Sequence, residues 1–225
     1  MPRQIPLTIT FDDAEDEVLF TTATLKADPD AKELLPMTSG WLALLDSARA
    51  RDRAARQAQA EADAARVIGN DRLDRACVQF GDELFLAVGK DRSSARWLQF
   101  FTQTVSKFVR QRLSTQVERV RGWLQSSDAL IETHRKPLDT WSKAAGDALV
   151  QTRAVAVVRG EARIAREELA EDLTRERDGP HDALSAIARE RRLPREWPDL
   201  FFRVQSRSAG EEAPEAPAAA PSAQG

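Results

Sequence analysis

The stretch Trp41–Arg66, WLALLDSARARDRAARQAQAEADAAR, decides the fold. Trp41, Leu44, Ala48, Arg51, Ala55, Ala58, Ala62 and Ala65 follow one another at steps of three and four, which sets them on one stripe of a helix. Most of the stripe is small, so a facing helix can approach closely. The positions between carry Arg49, Asp52, Arg53, Arg56, Glu61, Asp63 and Arg66, a solvated face of mixed sign.

One hundred residues further on, Trp141–Arg166 reads WSKAAGDALVQTRAVAVVRGEARIAR, with its own stripe Trp141, Ala144, Ala148, Gln151, Val155, Val158, Ala162 and Ala165, continuing to Leu169. Both stripes break at the same step, Arg51 against Gln151. Overlaid without a gap, 41–101 and 141–201 are identical at 15 of 61 positions, among them Trp41/Trp141, Leu73/Leu173, Asp82/Asp182, Leu84/Leu184, Trp97/Trp197 and Phe101/Phe201. Many other matches are alanine or arginine, common throughout this chain, so the tryptophans carry most of the weight. The repeat points to an internal duplication.

Gly69-Asn70-Asp71 combines a helix stop with a cap, so a kink or break is expected in the first long helix, whereas Leu169-Ala170-Glu171 lets the second run on. Turns at Gly89-Lys90-Asp91 and Asp178-Gly179-Pro180 close the two helices. Each copy then ends in an aromatic cluster, Trp97–Phe101 and Trp197–Phe202. Such clusters plug a helical core, which predicts that Trp97 and Trp197 are both buried; the alternative is an exposed patch for a partner.

Upstream, Ile5, Leu7, Ile9 and Phe11 alternate with Pro6, Thr8 and Thr10, the period of one short strand or an extended arm. Asp12 and Asp13 are candidate caps for a helix ending before Asp28-Pro29-Asp30. Phe101, Val105, Phe108, Val109, Leu113, Val117, Val120 and Leu124 predict a bridging helix between the copies. Beyond Ser206 the chain is rich in Ala, Pro, Glu, Ser and Gly, the composition of a disordered tail. The expected fold is therefore an all-α, elongated helical bundle of two related helical units with one short N-terminal strand or extended arm. Its expected segments are 1–27 (arm and first helix), 28–101 (unit 1), 102–127 (bridging helix), 128–206 (unit 2) and 207–225 (tail).

Ten glycines and no tyrosine in 225 residues argue against a turn-rich β fold. Arginine exceeds lysine 27 to 6 in an alanine-rich chain, a composition associated with high-GC bacterial genomes. Asp12, Asp13, Glu15, Asp16 and Glu17 do not suit a signal peptide, and no apolar run nears the ~20 residues a membrane span needs, so a cytoplasmic protein without a membrane partner is expected. A net charge of −3 offers no global attraction to nucleic acid.

Catalytic motifs are missing from the sequence. Cys77 sits among Ala76, Val78 and Phe80, as a buried structural thiol would. His134 and His181 show no ligand spacing and are expected as exposed, helix-terminal residues, so no metal or other cofactor is expected. No nucleophile elbow or glycine-rich phosphate loop occurs. Glu167, Glu168, Glu171 and Asp172 cluster, but Arg163, Arg166 and Arg175 within a turn make them an ordinary charged face. The densest cationic stretch is 90–121. There Arg92, Arg96, Lys107, Arg110, Arg112, Arg119 and Arg121 are interleaved with Trp97, Phe100, Phe101 and Phe108, the two ingredients of a single-strand nucleic-acid site. Helical spacing sends those aromatics toward Val105, Val109 and Leu113, which disfavours that reading. The expected function is a non-enzymatic helical scaffold or partner-binding protein that binds a protein or itself. The alternatives are nucleic-acid binding through 90–121 and an enzyme whose site forms only in the fold.

Overall fold

The computed structural model of the chain describes residues 4–203, and the expected tail lies outside them. The fold is all-α. Its helices are α1 (Phe11–Ala27), α2 (Trp41–Ala87), α3 (Ala95–Phe100), α4 (Val105–Phe108), α5 (Leu113–Trp123) and α6 (Ala129–Arg191), with 3₁₀ turns at Lys32–Thr38 and Trp197–Phe201. None of these helices is long and apolar enough to cross a membrane.

No strand forms among the described residues. Ile9 N–H closes a turn on the Pro6 carbonyl (2.9 Å), which buries Ile5 and Ile9 together and leaves Leu7 51% exposed. The arm is held instead by Ile5 N–H donating to the Thr174 hydroxyl at 3.1 Å. With no strand beside it, the alternating segment bonds through one tight turn and one distant side chain instead of a ladder. At α1 the cap is Thr10, whose hydroxyl oxygen accepts from Asp13 N–H (3.1 Å); Asp12 and Asp13 lie inside the first turn, where carboxylates complement the helix dipole. The helix stops at Asp28, extended because Pro29 follows.

The expected kink at Gly69 does not occur: α2 is one helix of 47 residues. Gly69 serves close packing rather than termination, since a Cβ there would lie 3.2 Å from the Ala145 Cα on α6. The expected turn at Asp178–Pro180 is also absent. α6 continues through Pro180, which is buried, and ends at Arg191. The two long helices end alike, Lys90 N–H donating to the Phe85 carbonyl (2.8 Å) and Leu193 N–H to the Ala188 carbonyl (2.9 Å) around left-handed residues Gly89, Lys90 and Arg192. The bridge is not one helix either. Within 102–127 it breaks into α4 and α5, and Phe108 of α4 joins Phe100 of α3 on the same core as α5.

The described chain divides into two compact units, one running up to Leu45 and resuming at Glu168, the other Asp46–Glu167. These cut across the segments 28–101 and 128–206, because α2 and α6 each meet different neighbours along their length. In the 46–167 unit the core is aromatic: Phe80 of α2 packs on Phe100, Phe101 and Trp123 with ring centroids 5.2–5.9 Å apart. The other unit closes Leu25, Ala31 and Leu184 over Phe201 and Phe202.

Along α2 only every seventh stripe position is fully buried, Trp41, Ala48, Ala55, Ala62 and Gly69; Arg51 is exposed, and Leu44, Ala58 and Ala65 are half-buried. On α6, Ala148, Val155, Ala162 and Leu169 are buried, while Val158, expected on the stripe, is 38% exposed. Positions 73, 77, 84 and 101 are buried, as are 173, 177, 184 and 201. The copies differ at the tryptophans. Trp41 and Trp97 are buried, but Trp141 and Trp197 are only half-buried.

Candidate functional site

The seven cations singled out in the sequence all belong to the 46–167 unit. Two are engaged within it. Arg92 lies over the Phe85 ring (4.6 Å to its centroid), and Arg96 makes two bonds to the Asp128 carboxylate at 2.7 and 2.8 Å. That bidentate contact holds the Asp128 carboxyl below the usual carboxylate range, aided by the N–H of Leu130. Lys107, Arg110, Arg112, Arg119 and Arg121 are exposed and form no ion pair among the described residues. The interleaved aromatics do not join them: Trp97, Phe100, Phe101 and Phe108 are 1–4% exposed and occupy the core.

A groove of about 880 Å³ runs between α2 and α6 within the same unit, where the facing side chains are alanine and glycine. Arg56, Arg159, Arg163 and Arg166 line it with Asp52 and Asp63. Its charges are largely matched, since Asp52 accepts from Arg56 at 2.6 Å and from Arg166 at 2.7 Å, and Arg159 reaches Gln59 at 3.4 Å. Burial pushes the Cys77 thiol far above its ordinary pKa, so it carries no thiolate near neutral pH.

Neither histidine is exposed or helix-terminal. His134 is 7% exposed, its Nε2 lying 2.9 Å from Glu83 and its ring edge-on to Phe80. His181 is 8% exposed, 3.3 Å from Asp199, with its ring 5.8 Å from Phe202. His134 lies inside α6 past its start at Ala129, and His181 lies inside it because the helix runs on through the turn expected at 178–180. Among the described residues no three of His, Cys, Asp and Glu are placed to hold a metal ion.

The unit formed by the two ends of the chain contains a buried ion pair that sequence reading did not anticipate. Glu17 of α1 and Arg177 of α6 approach to 3.5 Å with side chains 4% exposed, and the guanidinium also covers the Phe202 ring at 5.0 Å. Desolvation raises the Glu17 pKa despite Arg177 and lowers that of Arg177 despite Glu17. Of the acidic group at 167–172, Glu167 pairs with Arg163 (3.7 Å) and Asp172 with Arg175, as an ordinary charged face does.

One further surface feature is written in the sequence. Val150, Val157 and Ile164 of α6 are 66%, 63% and 49% exposed at a strict spacing of seven, forming an apolar stripe in the 46–167 unit. The signal was masked by Val155 and Val158, which read as the buried stripe. A second feature, a cavity between the end of α1 and the Trp197–Phe201 turn, has no local motif at all. Compared with protein-family models, curated proteins and solved structures, the chain matches none, so the functional reading rests on its own residues.

Proposed function

We propose that this chain is a non-enzymatic helical scaffold that associates with a second copy of itself through the exposed face of α6. The observation that carries this reading is the stripe Val150, Val157 and Ile164, three branched apolar side chains left largely in water at heptad spacing. Single exposed apolar residues are ordinary, whereas a row of them on one helix is a seam without its partner. Charge supports an antiparallel pairing centred on Val157. Val150 then faces Ile164, Arg153 faces Glu161, and Ala154 faces Gly160, around which a Cβ would meet nothing within 4 Å. Between residues 147 and 167, Asp147 opposite Glu167 is the one like-charge pairing, and Arg163 beside Glu167 offsets it.

The strength follows from the same residues. Half-burying each such side chain contributes about 0.7–1.5 kcal/mol, so the six of the two copies supply roughly 4–9 kcal/mol against an association cost of at least about 4 kcal/mol, and a weak dimer in the high-micromolar to millimolar range is expected. Sedimentation velocity tests it. A concentration-dependent species of twice the 25.0 kDa chain that Val157→Glu abolishes supports the reading. A wild type monomeric up to about 1 mM, or a dimer indifferent to Val157→Glu, refutes it. Nucleic-acid binding through Lys107, Arg110, Arg112, Arg119 and Arg121 is the weaker reading, since these cations have no exposed aromatic beside them on which bases could stack.

We also infer a tandem duplication longer than the tryptophan repeat. Asp28 and Asp128 each accept at 2.8 Å from the N–H two residues on. The buried positions Glu17, Val18 and Thr21 of α1 match Gln116, Val117 and Val120 of α5 at an offset of 99. α1 and its turn thus stand to the Trp197 plug as α5 and its turn stand to the Trp97 plug.

A further inference from the structure

The cavity at the end of α1 is a groove open to solvent of about 340 Å³, lined by Thr24, Ala27, Pro29, Trp197, Leu200 and Phe201, with Asp28 among them. That volume falls at the lower end of the range of small-molecule sites, which combine apolar walls with a few placed polar groups. The Trp197 and Phe201 rings meet edge to face at 4.9 Å, and Leu200 is 66% exposed.

The 46–167 unit shows what fills this place when it is filled. There the indole of Trp123 sits with ring centroids 4.9 Å from Phe101, 4.9 Å from Phe108, 5.5 Å from Phe80 and 6.2 Å from Phe100. The residue at the place of Trp123 is Thr24, whose hydroxyl lies 3.3 Å from the carbonyl of Phe201, as Trp123 lies against Phe101. Leu200 stands for Phe100, and at the offset of 99 Ile9 stands for Phe108. A groove of about 240 Å³, the more enclosed of the two, remains at the corresponding surface, but Phe100 and Trp123 line it and Trp97 and Phe101 do not. The open groove in the other unit is lined by Trp197 and Phe201 themselves, because no indole stands in front of them.

Charge differs in the same way. Asp128 is neutralised by Arg96, whereas the residue at the place of Arg96 is Glu196, and Asp28 has no cationic partner among the described residues. The neighbouring Asp30 has one, Arg191. Asp28 is instead held in place by N–H donors, Asp30 N at 2.8 Å and Trp197 Nε1 at 3.3 Å, the second bond tying the carboxylate to the aromatic wall itself. The site therefore lacks the two things its counterpart contains, an aromatic ring and a cation.

We propose that this cavity binds a small arylalkylammonium compound, its ring packed on Trp197, Phe201 and Leu200 and its ammonium group on the Asp28 carboxylate. The choice of ligand rests on the correspondence between the copies, and the closing experiment separates the two. Calorimetric titration of the full chain with tryptamine and with indole-3-propionate, the same ring bearing an anion, is the primary measurement. Tryptamine is expected to bind, the propionate about tenfold more weakly or not at all, and Asp28→Asn to remove that preference. Thr24→Trp, which restores the indole of the other unit, is expected to abolish tryptamine binding while keeping the fold. Absence of tryptamine binding, equal binding of the two ligands, or binding undiminished by Thr24→Trp overturns the proposal. If Thr24→Trp unfolds the protein, the correspondence fails, and Leu200→Trp at the exposed rim becomes the filling variant. Tryptamine binding lost in Leu200→Trp supports the pocket even then, and binding unaffected by it overturns the pocket.

Discussion

Two glycines inside the long helices provide a controlled pair, because both lie in the 46–167 unit and replacing either by alanine removes the same helix penalty. Glycine in a helix interior costs about 1 kcal/mol relative to alanine. Around Gly160 a new Cβ meets nothing within 4 Å, so Gly160→Ala is expected to gain roughly that amount. At Gly69 the new Cβ would lie 3.2 Å from the Ala145 Cα and 3.4 Å from its N, both backbone atoms of a packed helix that cannot rotate aside. Overpacking of this kind costs about 1–3 kcal/mol, which cancels or exceeds the helix gain. The two variants should therefore differ by about 1–3 kcal/mol although the substitution is the same. For a chain of this size 1 kcal/mol corresponds to a shift of about 2–4 °C, so thermal unfolding followed by circular dichroism at 222 nm resolves the difference. A rise in Tm for Gly69→Ala equal to that for Gly160→Ala would refute the close approach of α2 and α6.

Glu17→Ala is expected to cost about 3–5 kcal/mol by leaving Arg177 buried and unpaired, whereas Glu17→Leu combined with Arg177→Met should be near neutral in urea unfolding. Because burial raises the folded-state pKa of Glu17, its contribution is fully present below the unfolded value and is lost as pH rises through the folded one; relative to Glu17→Gln, the wild type should gain stability on acidification from neutral pH. Asp128 has the opposite sign. Its depressed pKa gives a contribution present above the unfolded value and lost as pH falls through the folded one, and Asp128→Ala should cost about 1–2 kcal/mol at neutral pH through loss of the α6 cap and the Arg96 contact. Trp97→Ala should cost about 3–5 kcal/mol by chemical denaturation and Trp197→Ala distinctly less, since only the first is fully enclosed. Labelled single-stranded DNA and RNA should show no submicromolar binding at low salt; binding that is lost on raising the salt and in Arg110→Glu, Arg112→Glu would transfer the function to 90–121.

Periodicity in the sequence was sufficient to place two long helices, the aromatic plug at Trp97 and the apolar stripes, because a helix buries one face and its repeat is written in local spacing. It was misleading wherever a local rule competed with a distant contact. Gly69 reads as a stop but fits against Ala145, and Pro180 reads as a turn but is buried inside α6. His181 reads as exposed because the turn expected at 178–180 would end a helix beside it, and His134 because nothing local records the approach of Glu83 and Phe80. At the stripe of Val150, Val157 and Ile164 the spacing was present, yet four valines lie between 150 and 158, and only packing showed which of them face a neighbour and which face water.

What the sequence by itself determined is therefore the helical class, the 100-residue periodicity and the absence of familiar catalytic motifs, all of which follow from residue type and spacing along one chain. The tertiary structure decided the rest. The Glu17–Arg177 pair joins residues 160 positions apart, and the cavity beside Asp28 joins α1 to a turn about 170 residues later. Whether a carboxylate is desolvated, or an indole-sized space is filled, depends on what arrives from elsewhere in the chain, and no local pattern records that.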